Sequence, residues 1–181
     1  MKKFVIALMA FSLVISLAGC GGGGGGPSTV EMYESQKSVS IPEEYNCGGE
    51  NGIQSNLNKM ADVFKDDAKT ASDKKETLGK YISNSFKRAD GTGSRDELLN
   101  VMGSRFERYK VIDWGFKVTN HSKNGEEIKT TCSIRLNLEK IKGDGIPRWN
   151  DAILNKELVW KKESEVWKII RGFPYDRRKD L

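Results

Sequence analysis

The sequence predicts an α+β domain in which about three N-terminal helices pack on one face of a curved, mostly four-stranded antiparallel sheet. Apolar residues recur at helical spacing as far as Tyr109, and beyond it they alternate with polar residues as in a half-buried strand. The 181 residues, 37% of them hydrophobic, are too few for two ordinary domains and too apolar for a wholly disordered chain. We therefore expect one domain, with helices first and strands after.

Three helices follow from local patterns. Residues 53–66 place apolar side chains at steps of three and four on one face: Ile53, Leu57, Met60, Ala61 and Phe64. A second, shorter helix is predicted from about Ser72 to Ile82, with Tyr81 on its apolar stripe. A third begins after Ser94, because Ser94 and Glu97 form a capping box in which each side chain satisfies a free backbone N–H.

Four strands follow the third helix. In the first, one face is predicted to carry Ile112, Trp114, Phe116 and Val118, and residues 120–125 are predicted to form a hairpin loop that contains His121. Residues 128–139 alternate most cleanly and predict a strand with one dry and one wet face. Residues 152–162 and 165–173 predict the last two strands.

The N-terminus is typical of an export signal. Two lysines precede a 15-residue apolar run, residues 4–18, which is shorter than the about 20 residues of a spanning helix. The run ends in Leu17-Ala18-Gly19-Cys20, which resembles the lipobox of bacterial lipoprotein precursors. That resemblance implies cleavage before Cys20 and lipid attachment to its thiol. The alternatives are a plain secretory signal, or an apolar leader whose cysteine is incidental.

The composition of the chain also predicts how it divides into a tether, a folded domain and a tail. Six glycines, Gly21–Gly26, open a polar stretch that predicts a flexible tether over residues 20–46, with local ordering against the domain allowed. The predicted units are a signal peptide (1–19), the lipidated cysteine and tether (20–46), the domain (47–174) and a polar tail (175–181). The residue after Cys20 is Gly21 and not the aspartate of an inner-membrane retention signal, so the expected location is the outer membrane if the cell has one, and otherwise the cell membrane.

Charge argues against a nucleic-acid partner. The formal charge is +5, and removal of residues 1–19 would leave 28 basic and 25 acidic side chains. These charges are interspersed, whereas nucleic-acid-binding proteins usually present a clustered basic face. The basic run Arg177–Lys179 lies between two aspartates and is best interpreted as a solvated tail.

Two cysteines remain once Cys20 is assigned to lipid. In an exported protein, a disulfide between Cys47 and Cys132 is chemically allowed. The alternative is two unpaired thiols, with Cys132 as a small core residue. His121 is the only histidine and no Cys-x-x-Cys pattern occurs, so neither a metal site nor any other cofactor is predicted.

The order of elements resembles the cone-shaped superfamily of nuclear transport factor 2, ketosteroid isomerase and polyketide-cyclase-like proteins. The segments that carry the resemblance are the helix pair ending near Tyr81-Ile82, the spacing Phe86…Asp90-Gly91…Arg95…Leu98, and Val166-Trp167-Lys168-Ile169-Ile170. The resemblance implies a conical cavity between the helices and the sheet. Another α+β fold, such as a cystatin-like one, is the alternative.

The candidate cavity-lining residues are Tyr81, Phe106, Trp114, Lys156, Trp160 and Arg171. In one strand frame, Lys156 and Arg171 place cations among aromatic rings, which would suit an anionic ligand. The other frame turns Asn155 and Glu157 inward. A third interpretation has these cations reaching water while the tryptophans fill the core.

We find no catalytic motif and assign no catalytic residue. The predicted function is therefore a membrane-anchored, exported module that binds a small molecule or a protein segment without catalysis. The alternatives are a homodimeric assembly protein of the cell envelope, and an enzyme of the isomerase, dehydratase or cyclase type. The enzyme would need a buried Asp, Glu or Tyr facing the cavity.

Overall fold

A computed structural model describes residues 26–45 and 49–173. The helices are α1 (Thr29–Ser35), α2 (Ile53–Lys65), α3 (Ala71–Tyr81) and α4 (Arg95–Arg108), and a 3-10 turn spans Glu43–Tyr45. The strands are β1 (Ile82–Lys87), β2 (Tyr109–Asn124), β3 (Glu127–Lys140), β4 (Arg148–Glu163) and β5 (Val166–Arg171). None of the helices in these described ranges has the length and apolar character needed to cross a membrane.

The strands form one sheet in the order β1-β5-β4-β3-β2. Strands β2 to β5 pair antiparallel, and β1 pairs parallel with β5, with Ile82 opposite Ile169. The four predicted antiparallel strands are confirmed as β2–β5, and the fifth strand, β1, which pairs parallel, was not predicted. Ile82 and Phe86 are four residues apart, which continues the helical spacing of α3, and only pairing with a strand about 85 residues later makes this segment extended.

Three helices, α2 to α4, pack on one face of the sheet, which confirms the predicted layering. The core between them is aromatic at its centre, where the Phe64 ring of α2 lies 4.8 Å from that of Phe106 in α4 and 4.9 Å from that of Trp114 in β2. The α4 helix begins as predicted, because the Ser94 side chain accepts a hydrogen bond from the backbone N–H of Glu97. These contacts join the helical layer to the sheet.

Two bulges change the faces predicted for β2 and β4. In β2, one extra residue between Val111 and Asp113 buries both Val111 and Trp114 and leaves Ile112 exposed, so the predicted core position of Ile112 was wrong. In β4, Asn155 has a φ of 54° and donates its N–H to the Ser133 hydroxyl. Each bulge shifts the inward alternation by one residue.

The β4 bulge explains why the sequence left two strand frames open. Before it, Ile153 lies opposite Ile134 and faces the core. After it, Leu158 and Trp160 face the core. Each frame therefore describes the inward face of one half of the strand. A single alternation cannot describe the whole strand, because the bulge shifts it by one residue.

Helix α1 lies within the segment predicted as a tether and packs on the sheet face opposite α2–α4. Ser28 caps it through a capping box with Glu31. At its other end, the Lys117 ammonium donates hydrogen bonds to the carbonyls of Tyr33 and Glu34, at 2.8 and 3.0 Å. A Cβ on Gly115 would lie 2.9 Å from the Tyr33 hydroxyl, so the ring packs directly against the sheet backbone.

The docking of α1 is expected to weaken in alkali. Burial, aided by the carboxylates of Glu34 and Asp113, raises the pKa of Tyr33 to about 12. Because the folded-state pKa is the higher one, this stabilisation is complete below about pH 10 and is lost as pH rises towards 12. We expect wild type to lose on the order of 1 kcal/mol more unfolding free energy over this range than Tyr33→Phe, as measured by urea denaturation. Identical pH profiles would contradict this prediction.

Candidate functional site

The interior between helices and sheet is almost filled. A cavity of about 10 Å³ remains, lined by Met102, Arg105, Phe106, Tyr109, Val111, Trp114 and Leu138. That volume holds about one water molecule. This cavity therefore has no room for a small-molecule ligand.

Only two of the six candidate lining residues, Phe106 and Trp114, lie at this cavity. Trp160 is fully buried elsewhere in the core, where its indole N–H donates to the Thr130 hydroxyl at 2.9 Å. Tyr81 is half-buried at the end of α3. The structure thus brings together two of the six and leaves Tyr81 and Trp160 in other surroundings.

Lys156 and Arg171 are exposed, so the expectation of cations among aromatic rings inside the cavity was wrong for both. Lys156 lies opposite Cys132, next to the Asn155 bulge, and Arg171 lies at the end of β5. Each side chain reaches water where its strand bends or ends, as one of the three sequence interpretations proposed.

His121 lies on β2 and not in a hairpin loop, because β2 continues to Asn124 and the turn is shorter than predicted. Its ring packs edge-to-face on Tyr45 at 5.5 Å. Cys132 is buried, and burial raises the pKa of its thiol to about 11. Cys20 and Cys47 lie outside the described residues, so lipidation and the disulfide both stay predictions.

A larger, open depression adjoins the cavity, on the outer side of Phe106 and Tyr109. We call it the basic pocket. It has a volume of about 530 Å³ and is lined by Asp67, Lys69, Ala71, Lys74, Phe106, Glu107, Tyr109, Lys110, Ile141 and Lys142. Four of these side chains are cationic and two are anionic, so the pocket carries a net positive charge.

Lys74 is the most buried cation of the basic pocket. Its position is set by the start of α3, where Thr70 and Asp73 form a capping box. Only 6% of its surface is exposed, and this burial lowers the pKa of its ammonium, against the opposing effect of the Asp67 and Asp66 carboxylates. A buried ammonium has lost part of its hydration, so an anion that reached it would gain a strong hydrogen bond.

The four lysines of the pocket are of two kinds, those with an ion-pair partner and those without one. Lys110 pairs with Asp67 at 2.5 Å, and Lys142 pairs with Glu107 at 3.8 Å. Among the described residues, neither Lys69 nor Lys74 has an ion-pair partner within 4.0 Å. These two lysines account for the net positive charge of the pocket.

The Tyr109 hydroxyl is buried under the β3–β4 loop, residues 141–147, and has no hydrogen-bond partner in the part of the chain that the structure describes. The loop lies so close that a Cβ on Gly145 would overlap this hydroxyl. Arg108 holds the loop in place by donating to the Asp144 carbonyl, and its own carbonyl accepts from the Ile141 N–H at 2.8 Å. The wall of the pocket therefore combines the Lys74 side chain with the Phe106 and Tyr109 residues.

No pattern in the sequence predicts this pocket. Its residues come from the α2–α3 turn, the start of α3, the end of α4, the start of β2 and the β3–β4 loop. In the sequence, each of its lysines has acidic neighbours. A local pattern of charges of this kind is usual for a solvated surface. No group of His, Cys, Asp and Glu suited to a metal ion occurs in the described ranges.

Comparison with solved structures supports the fold and nothing finer. A conserved protein from Planctomyces limnophilus aligns with a TM-score of 0.51 and 8% identity, over 66% of this chain and 88% of the other. Structures similar to this chain also include an NTF2-like (nuclear transport factor 2-like) protein from Cytophaga hutchinsonii, with a TM-score of 0.48 and 12% identity, over 66% and 90% of the two chains. No protein-family model and no curated protein matches the chain.

Proposed function

We propose that this chain is an exported lipoprotein whose NTF2-like domain is a non-catalytic binding module, anchored through Cys20 in a membrane of the bacterial cell envelope. The anchor rests on the order and lengths of the lysines, the apolar run and the Leu17–Cys20 lipobox. With Gly21 after the cysteine, the proposed membrane is the outer one where the cell has two. The binding role rests on the basic pocket.

Lys74 is the observation that carries the binding role. Lys74, a residue with only 6% of its surface exposed, lines an open pocket without an ion pair among described residues, and is therefore suited to a ligand that brings a negative charge. Phe106 and Ile141 offer apolar surface beside it. The ligand that fits is a small molecule or peptide side chain with a carboxylate or phosphate next to an apolar group.

The ligand proposal is tested by titration calorimetry with benzoate and with inorganic phosphate. We expect Lys74→Met to weaken binding of the anion that binds best by about tenfold, the loss expected for one hydrogen bond to a charged group. Lys75→Met is the matched control, since Lys75 follows on the same helix and donates to Asn100 at 2.8 Å. Equal binding by both variants would contradict a role for Lys74.

The anchor is tested with Cys20→Ser. Replacement of the thiol removes the nucleophile that takes the lipid, so we expect the precursor to keep its signal peptide and the mature lipidated form to disappear. Mass spectrometry of the N-terminal peptide checks both. Cys47→Ser is the control and is expected to be processed normally. Detection of the same mature N-terminus in Cys20→Ser would contradict the anchor.

The two alternatives have weaker support. A homodimer through the outer face of the sheet would be favoured by exposed aromatic residues there, but α1 covers part of that face, and the large exposed hydrophobic residues in the described ranges are Met32, Val39, Val101, Ile112, Ile141 and Ile146. An enzyme would need an acid or phenol at a substrate-sized cavity. Tyr109 lines the interior cavity, whose volume is about 10 Å³.

A further inference from the structure

We propose that the β3–β4 loop contacts the surface of an anionic membrane when the protein is anchored, so that the basic pocket opens next to the bilayer. This inference rests on the proposed lipid anchor. It adds an orientation of the domain and a second membrane contact, made by the folded part of the chain.

The composition of the loop suits a membrane interface. Ile141 and Ile146 are 61% and 43% exposed, although both are strongly apolar. Lys140, Lys142 and Arg148 surround them, and Asp144 is the one acidic residue between Lys140 and Arg148. Exposed aliphatic side chains among cations bind anionic lipids, because the apolar groups enter the headgroup region while the cations stay with the phosphates.

The loop is held in a fixed conformation. Besides the contacts with Arg108, the Lys140 ammonium donates to the Gly145 carbonyl at 3.2 Å, and the Lys140 N–H donates to the Pro147 carbonyl at 2.9 Å. The two isoleucines are therefore presented to solvent by a structured turn. Contact with a membrane would cost little additional ordering of this turn.

Helix α1 shows where the anchored end of the chain leaves the domain. At its start, the Thr29 hydroxyl bonds to Asp151, three residues after Arg148 in β4. Beyond its end, Gln36 bonds to Asn155 at 3.1 Å. The helix thus runs along β4 in the direction of that strand, and the residues before Thr29 leave the sheet at the end where the β3–β4 loop lies.

The distance to the anchor is short. Seven residues lie between Cys20 and Ser28, so the chain makes eight residue-to-residue steps from one to the other. Even a fully extended chain of that length spans at most about 28 Å. The lipid on Cys20 would therefore hold the loop end of the domain, and not the β2–β3 turn, close to the bilayer. A contact that is weak for a free domain becomes well populated under these conditions, because the tether gives it a high effective concentration.

The experiment uses the full lipidated chain in vesicles of phosphatidylcholine and phosphatidylglycerol, some with brominated acyl chains. In a Cys47→Ala background, Asp144→Cys carries an environment-sensitive fluorophore between the two isoleucines. Ser122→Cys carries it in the control, near the far end of β2, where Ser122 is exposed. We expect a blue shift and quenching by bromolipid at position 144, and neither at position 122.

Two further arms test the cause of the contact. Ile141→Asp with Ile146→Asp is expected to abolish the quenching at position 144, and vesicles of phosphatidylcholine alone are expected to reduce it. A lipidated chain with no quenching at 144, or with equal quenching at both positions, overturns the orientation and leaves the proposed anchor intact. A chain whose Cys20 carries no lipid by mass spectrometry overturns the anchor, and the orientation falls with it.

Discussion

Gly172→Ala is expected to lower the free energy of unfolding by about 3 kcal/mol. Gly172 has a φ of 76°, in the left-handed region that costs other residues about 1–2 kcal/mol. In addition, a Cβ at this position would overlap the backbone carbonyl oxygen of Glu157, which cannot move without disturbing β4. Such overpacking typically lowers the free energy of unfolding by roughly a further 1–3 kcal/mol. Urea denaturation of the variant and wild type measures the difference.

Gly125→Ala is the matched control. Gly125 has a similar φ of 61° in the β2–β3 turn, but no atom lies within 4 Å of the position of a Cβ. We expect this variant to lose only the backbone contribution of about 1–2 kcal/mol. Equal losses in the two variants would show that the contact with Glu157 adds nothing.

Phe64→Ala is expected to cost about 3–5 kcal/mol, the range for removal of a buried aromatic ring. The Phe64 ring is fully buried and touches Phe106 of α4 and Trp114 of β2, so its loss leaves a cavity where two helices meet the sheet. Phe64→Leu keeps most of the volume and is expected to cost less than half as much. Thermal and urea unfolding measure both variants.

Val101→Ala is the control for Phe64. Val101 is also on the helical layer, but its side chain is 38% exposed on α4, and we expect a change within about 0.5 kcal/mol. A loss below about 1 kcal/mol in Phe64→Ala would contradict the proposed role of this ring at the centre of the core.

Structure that depends on contacts between residues close in the sequence could be predicted, whereas structure that depends on contacts between distant residues could not. Only half of the capping box predicted at Ser94 forms, the hydrogen bond from the Glu97 N–H to the Ser94 side chain. This cap and the apolar stripe from Ile53 to Phe64 involve residues three or four apart, and both helices begin within one residue of the predicted position. β1 could not be predicted in this way. Its hydrogen-bond partner, β5, lies far along the chain, and its local pattern continues that of α3.

The candidate site depended even more on long-range contacts. Phe106 and Trp114 could be named from their strand and helix faces, because an apolar stripe shows which side of an element is buried. Lys156 and Arg171 could not be placed, since an extra residue at Asn155 in β4, and the end of β5, decide where they point. The basic pocket, with Lys74 and Tyr109, joins residues from several separate elements.

By itself, the sequence determined the α+β class, the order of α2, α3 and α4 before the antiparallel strands β2–β5, and the candidate anchor at Cys20. These depend on spacing within a few residues, which the chain carries wherever it folds. The tertiary structure alone decided the fifth strand, the bulged registers, the docking of α1 and the burial of Lys74. Each of these is stabilised by contacts between distant residues, and no local pattern records which distant partners will meet.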